Sequence, residues 1–345
     1  MSRLVTRVGI PGAVALSMLG LFVMLFAPAA GVQAAAGNRS DLKNFQHVFV
    51  IMMENTGFDA LIGNPNAPWI NDAAARYGLA TNYTGVIHPS QPNYIAATSG
   101  ATNGILDDND HTIAVPNIVD QLEAHGKTWK AYMQSYSLCN GNILASACGN
   151  QLYERKHNPF ISYQDVQTNP ARTANIVDFS QLSTDLASKK NVADFTWISP
   201  DQCNDMHGRG GPATDLCSFG HIQELIAAGD AFLNNTVSAI MNSHAWTGNS
   251  VIFVTWDESD FTGSPTHSGF GDTSGCCDAE PGNGGGHVVT LVISHSDHAP
   301  RTSNVAYNHF SMLATIQGGW KLGCLAFTCD TANVQPMSDL VGPRG

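Results

Sequence analysis

The sequence predicts an α/β fold, a three-layer α/β/α sandwich on a largely parallel central sheet. Three apolar, β-rich runs carry the prediction: His47–Met53 (HVFVIMM), Asn249–Trp256 (NSVIFVTW) and His287–Ser294 (HVVTLVIS). They are apolar nearly throughout instead of alternating, as expected of strands covered on both faces. Segments of helical periodicity lie between them, and strands alternating with helices point to a doubly wound topology.

In chain order, the first segment reads as an address label. Arg3 and Arg7 precede an uncharged run of 15 residues, Ala13–Ala27, and Pro28 breaks it. Val32-Gln33-Ala34 then offers a small-x-small cleavage site, so residues 1–34 are expected to be a secretory signal peptide cleaved near Ala34. The apolar run is shorter than the roughly 20 residues a membrane span needs, and no comparable run follows. Residues 35–345 are expected to form one domain. Weaker strand candidates are Thr128–Met133 and Ala193–Ile198; helical patterns cover Val115–His125, Ile176–Lys190, Ile222–Ser243 and Asn308–Gln317. Gly263–Gly286 is a Gly-rich stretch of 24 residues, long enough to be a lid or rim.

The formal net charge is −12, and losing two arginines with no acid takes it to −14. Such a chain is a poor partner for nucleic acid or an anionic membrane surface. It binds phosphate esters best through a cation and histidines, of which there are 13. All eight cysteines follow residue 34, and an even count without a CxxC pair reads as disulfides. Cys139–Cys148, Cys203–Cys217 and Cys324–Cys329 are the simplest local pairings, which leaves adjacent Cys276 and Cys277 to pair with each other.

Ligands of doubly wound sheets bind beyond the carboxyl ends of the strands. Two of the strong strands end in acids there, one in Glu54-Asn55 and the other in Asp257-Glu258. Either pair alone equally suits the start of a solvated loop; brought together they suit a hard cation, which takes carboxylate and amide oxygens. The third piece is His88-Pro89-Ser90-Gln91-Pro92-Asn93-Tyr94. Ser90 is expected just ahead of a helix opened by Pro92, either as an ordinary cap or facing backbone N–H groups that seat a phosphate.

HVFVIMMENTGFDALIG, HPSQPNYIAATSG, YERKHNPF, ISPDQCNDMHG, VTWDESD, GGGHVVTLVIS and YNHFSMLATI follow one another over residues 45–320. In this order they resemble the phosphoesterase family of bacterial acid phosphatases and non-haemolytic phospholipases C, within the alkaline phosphatase superfamily. The resemblance implies an alkaline-phosphatase-like fold and roles for individual residues. Glu54 and Asn55 match the early metal-binding pair, Asn55 also facing the phosphate, and Ser90 matches a metal-bound nucleophile that becomes phosphorylated. Asp257 and Glu258 match the late metal-binding pair, where the family often has Asp-Asp. His157 and His207 look like the phosphate-contacting histidines, one of them also the general acid. His287 is a further candidate for phosphate binding. Beside a bound phosphate, His157 and His207 are expected to hold a proton above the usual value of about 6.5.

The sequence thus predicts a secreted or periplasmic, metal-dependent hydrolase of small phosphate monoesters acting through phosphoserine, with calcium, magnesium, manganese or zinc as the divalent cation. A phospholipase C-type diesterase is the alternative within the family, and an inactive binding module of the same fold is a further one. A metal-independent Ser-His-Asp esterase calls for a G-x-S-x-G elbow, which His88–Pro92 is not.

Overall fold

Val48–Met53 (β1) and Val251–Trp256 (β6) are buried at every position, and they pair in parallel and in step, Val48 opposite Val251 and Met53 opposite Trp256. Both strands therefore end at the same level, and the residues after them, Glu54 and Asp257, emerge side by side. This follows from the near-continuous apolar runs, which can be satisfied only with cover on both faces.

The computed structural model describes residues 42, 44–259, 272–296 and 299–341, all within one compact unit, Ala36–Gly345. The expected signal peptide and its cleavage site lie outside the described residues. The remaining strands of the main sheet are Gly78–Ala80 (β2), Trp129–Met133 (β3), Ile176–Asp178 (β4), Phe195–Ser199 (β5), Thr290–Ser294 (β7) and Arg301–Ser303 (β8). The eight strands run in the order β8-β2-β7-β6-β1-β5-β3-β4. Every pairing is parallel except those of β7 with β6 and with β2. β7 is thus the reversed strand of a largely parallel sheet, which corrects the reading of His287–Ser294 as one more parallel strand. Because of the reversal β7 starts where the parallel strands finish, which brings His287 to that same edge.

Helices cover the sheet on both faces. Pro68–Arg76 (α1) packs on Ile222–Met241 (α4), and Ser90–Ser99 (α2) packs on His309–Trp320 (α5). In α4 the buried residues Leu225, Ile226, Leu233, Val237 and Ile240 recur at helical spacing, the stripe a one-sided helix requires. Every residue of α2 is buried, so this helix runs through the core rather than over it. Among the described residues no helix is long and apolar enough to cross a membrane.

Two boundaries differ from the sequence reading. Ile176–Lys190 is not one helix: Ile176–Asp178 joins the sheet edge beside β3, and a short helix follows at Gln181–Leu186. Apolar residues 176, 179, 182 and 186 fit a helical period by chance, and pairing with β3 overrides it. Ile118–Ala124 (α3) begins later than expected, because Asn117 caps it by accepting from Val119 N–H while Asp120 bonds back to the Asn117 N–H. The cysteines pair in the four local combinations, Cys139–Cys148, Cys203–Cys217, Cys276–Cys277 and Cys324–Cys329.

Candidate active site

Three chain segments converge where β1 and β6 end. Asn55 follows β1 with φ 42°, in the left-handed region that asparagine tolerates better than most residues. Its backbone N–H donates to Asp257 Oδ1 at 3.1 Å, tying the two strand ends together. The third segment, residues 85–89, passes against the strand β6 end at Gly85. A Cβ there would stand 2.6 Å from the Asp257 carbonyl oxygen and 3.0 Å from Gly285, so only glycine permits the approach. Asn93 then fixes the turn, its Oδ1 accepting from Val86 and Ile87 N–H.

This packing delivers Ser90 between two carboxylates. Its Oγ lies 3.1 Å from Glu54 Oε2 and 3.0 Å from Glu258 Oε1, and its single proton can serve only one of them at a time. Glu258 Oε2 is paired with His88 Nδ1, and His88 Nε2 lies 3.0 Å from the Asp272 carbonyl. The other oxygen of Glu54 accepts from the Tyr94 hydroxyl at 2.6 Å. Glu258, at a position where the resemblance implied aspartate, therefore reaches the serine directly.

Ser90 is the first residue of α2, not the residue before it, and Pro89 occupies the cap. The expected phosphate seat at this helix start is partly filled: Gln91 N–H donates to Asp108 Oδ1 at 2.9 Å. Asp108 Oδ2 accepts from Lys156 Nζ at 2.8 Å. Burial opposes the charge on Lys156, but Glu54, Asp108 and Asp257 together hold its pKa above the usual lysine value.

Glu54, Asp257 and Glu258 are each no more than 1% exposed. Burial, then the charge of Asp257, holds the Glu54 carboxyl well above the usual range. Burial, then Glu258, does the same to Asp257. Burial raises Glu258 as well, with His88 pulling the other way. Three mutually repelling acids out of water need protons or a cation between them. Asp257 Oδ2 and Asn55 Oδ1 are buried without a hydrogen-bond partner among the described residues. No three described His, Cys, Asp or Glu side chains already close into a metal cage. The all-oxygen donor set and its orphaned atoms nevertheless fit a hard cation.

The histidines divide. His157 is 3% exposed, stacks on Tyr94, and sits with Nε2 3.1 Å from Glu54 Oε1 and Nδ1 3.6 Å from Asp205 Oδ2. Burial, then Lys156 and His207, holds its pKa well below the usual value. His207 is half-buried; its Nδ1 lies 2.6 Å from the Gly208 carbonyl, which makes Nδ1 the N–H and turns Nε2 to the other side of the ring. His287 lies at the same sheet edge, stacked on Phe58, with Nε2 3.0 Å from the Thr81 carbonyl and its backbone N–H on Asp272 Oδ2. Among the described residues no hydrogen bond or ion pair joins its ring to Ser90 or the three acids. A cavity of about 310 Å³ is lined by Asp108, Lys156 and His207 and continues to Glu154, Gln202 and Arg209; Asp108 links it to the backbone of Gln91, next to Ser90.

Residues 64–323 match the model of the Phosphoesterase family. The chain belongs to that family. The match begins ten residues beyond Glu54, so the β1 end stands just ahead of it. Phosphoesterase membership makes the protein a phosphoric ester hydrolase. It is similar to a phosphatidylinositol-3-phosphatase of Mycobacterium tuberculosis, 28% identical over 99% of this chain and 97% of the relative. It is also similar to a probable acid phosphatase of Kluyveromyces lactis, 26% identical over 84% of this chain, of whose length it spans 62%. A Vibrio parahaemolyticus protein of the alkaline phosphatase superfamily superposes with a TM-score of 0.55 at 14% identity, covering 90% of this chain and 73% of that one. That likeness gives the phosphoesterase its fold and no more.

His88, Tyr94, Asp108 and Lys156 had no assigned role in the sequence reading. His88 and Tyr94 stand in the Ser90 motif and Lys156 beside His157, so proximity to chosen residues was the available signal. Asp108 sits in the acidic run Asp107–Asp110, which reads as a solvated loop; only its contacts to Gln91 and Lys156 set it apart.

Proposed function

We propose that the protein is a secreted phosphomonoesterase that passes the phosphoryl group to Ser90 and then to water. The observation that carries the reading is Ser90 Oγ held between Glu54 and Glu258, buried carboxylates from two strand ends. Glu54, Asn55, Asp257 and Glu258 would hold a divalent cation, with Ser90 Oγ beside it; when bound, such an ion offsets the crowded negative charge and makes the serine alkoxide accessible.

The chain's own groups supply the rest. Ser90 Oγ attacks phosphorus and gives its proton to a flanking carboxylate; the Oγ–P bond forms as the bond to the alcohol oxygen breaks. His207, carrying a proton on Nε2, protonates the departing alkoxide and then takes a proton from the water that hydrolyses phosphoserine. His157, buried and short of proton affinity, positions Glu54. Lys156 supplies positive charge near the phosphate. The relatives' names, an acid phosphatase and a phosphatidylinositol-3-phosphatase, support a monoester. Export is supported by four disulfides, which persist in oxidising compartments.

The test is acid quenching during turnover of 4-nitrophenyl phosphate, followed by peptide mapping. Phosphate is expected on Ser90 alone, and turnover is expected to stop in chelator and return with cation. Phosphate trapped on a histidine, or full activity in chelator, would overturn the mechanism.

A further inference from the structure

We propose that His309 is a positioning residue for the cation site: its imidazole fixes the peptide unit that joins Asp257 to Glu258, and with it the directions in which the two acids leave the backbone. The inference rests on the reading in which those acids hold a divalent cation.

His309 opens α5 and is fully buried, as is Asp257, 52 residues before it. Its Nε2 lies 2.6 Å from the Asp257 carbonyl oxygen, and its Nδ1 lies 3.0 Å from the Tyr83 hydroxyl. A carbonyl only accepts, so Nε2 carries the N–H; Nδ1 of the neutral ring is left to accept from the Tyr83 O–H. Tyr83 is itself buried, on a short strand paired with Tyr307-Asn308, immediately ahead of His309. Both nitrogens are thus engaged, and the ring is held in one orientation.

The strand β6 ends at Trp256, so the Asp257 carbonyl lies one residue beyond it. The Asp257 N–H still donates to the Met53 carbonyl at 3.0 Å, and Oδ1 takes the Asn55 N–H. Neither contact fixes the rotation of the next peptide. That peptide is planar, so the Asp257 C=O and the Glu258 N–H turn as one unit. Holding the carbonyl therefore sets where Glu258 leaves the chain, and Glu258 Oε1 is 3.0 Å from Ser90 Oγ. A buried carbonyl calls for a donor, and without the imidazole the peptide is free to turn toward another one. The start of α5 does not depend on the ring. Asn308 caps that helix by accepting from Phe310 N–H at 3.0 Å, and its Nδ2 donates to the Cys276 and Cys277 carbonyls. The imidazole serves the strand end, not the helix that carries it.

The experiment titrates Ca²⁺, Mg²⁺, Mn²⁺ and Zn²⁺ into chelator-stripped protein by calorimetry, and the ion that binds tightest is then used with the variants. His309→Leu keeps the bulk and loses the donor; it is expected to weaken binding of that ion by at least ~10-fold, as usual for a residue behind a metal ligand. His309→Gln, whose amide N–H can reach the same carbonyl, is expected to bind within ~3-fold of the wild type. Turnover of 4-nitrophenyl phosphate by His309→Leu should fall at low cation and recover at saturating cation, since the ring faces the backbone and not the reacting atoms. A His309→Leu protein that fails to fold passes the test to Tyr83→Phe, which releases Nδ1; binding weakened by ~3-fold or more supports the inference and unchanged binding overturns it. Wild-type affinity in folded His309→Leu, or binding as weak in His309→Gln as in His309→Leu, would overturn the inference and leave the cation reading standing. A wild-type protein that binds none of the four ions would overturn both.

Discussion

The carboxylate cluster around Ser90 and the cavity lined by Asp108, Lys156 and Arg209 are built on opposite electrostatic terms. Glu54, Asp257 and Glu258 are almost fully buried, carry one sign of charge and leave oxygen atoms unpartnered. Lys156 and Asp108 keep 17% and 30% of their side chains exposed, Arg209 and Asp215 14% and 26%, and each pair neutralises its own charge. Like charges out of water are tolerable only when something of opposite sign joins them. Paired charges near water are close to neutral in energy and free to shape recognition. On the proposed mechanism the carboxylate cluster carries the chemistry, and mutations there should have the larger effects.

The largest effect belongs to the nucleophile. Ser90→Ala should lower kcat by at least ~10³-fold with an unchanged circular dichroism spectrum, since it removes the covalent step and nothing that folds the chain. Retention of more than about a tenth of the activity would remove Ser90 from the mechanism and with it the distinction between the two regions.

Next come the strand ends. If the two residues, which emerge from paired strands, hold one ion as proposed, Glu54→Ala and Asp257→Ala should each remove bound cation and depress turnover by roughly 10²–10³-fold together. Full metal occupancy in Asp257→Ala, measured by elemental analysis, would break the idea of a shared site.

The two histidines sharpen the boundary itself. His207→Ala should slow an alkyl phosphate about 10²-fold more than 4-nitrophenyl phosphate, since a good leaving group needs little protonation. His157→Ala should slow both equally, as expected of a residue that positions Glu54. The ratio of the two kcat/KM values across pH decides the matter; a changed ratio in His157→Ala instead would exchange the roles.

The smallest effect is on stability. Burial, then Asp257, raises the pKa of Glu54 in the folded state above its unfolded value. Without cation its contribution to stability is therefore full below the unfolded pKa and is lost as pH rises through the folded one. Glu54→Gln, which has no charge to bury, should raise the Tm of chelated protein by a few degrees at pH 8 and by less at pH 5. A Tm gain that grows as pH falls would show that Glu54 is not strained by its neighbours.

Much of this was legible in the sequence. The runs HVFVIMM and SVIFVTW determined two doubly covered strands, because residues apolar at every position have no solvent face to offer. The acids that follow each run come together at one sheet edge, and the local cysteine spacings matched the four disulfides. The tertiary structure alone decided what those residues meet. That β7 runs backwards depends on its neighbours β6 and β2, and nothing in TLVIS itself encodes a direction. His157 carries the same imidazole as His207, but packing against Tyr94, Glu54 and Asp205 buries one and leaves the other half open, and burial lowers the pKa of His157. Asp108 reads as one acid in a solvated run until the fold sets it against Gln91 N–H and Lys156. Covalent neighbours fix hydropathy and turn chemistry along the chain, whereas charge, desolvation and hydrogen bonding at a site depend on groups tens to hundreds of residues away, and only the folded chain brings those together.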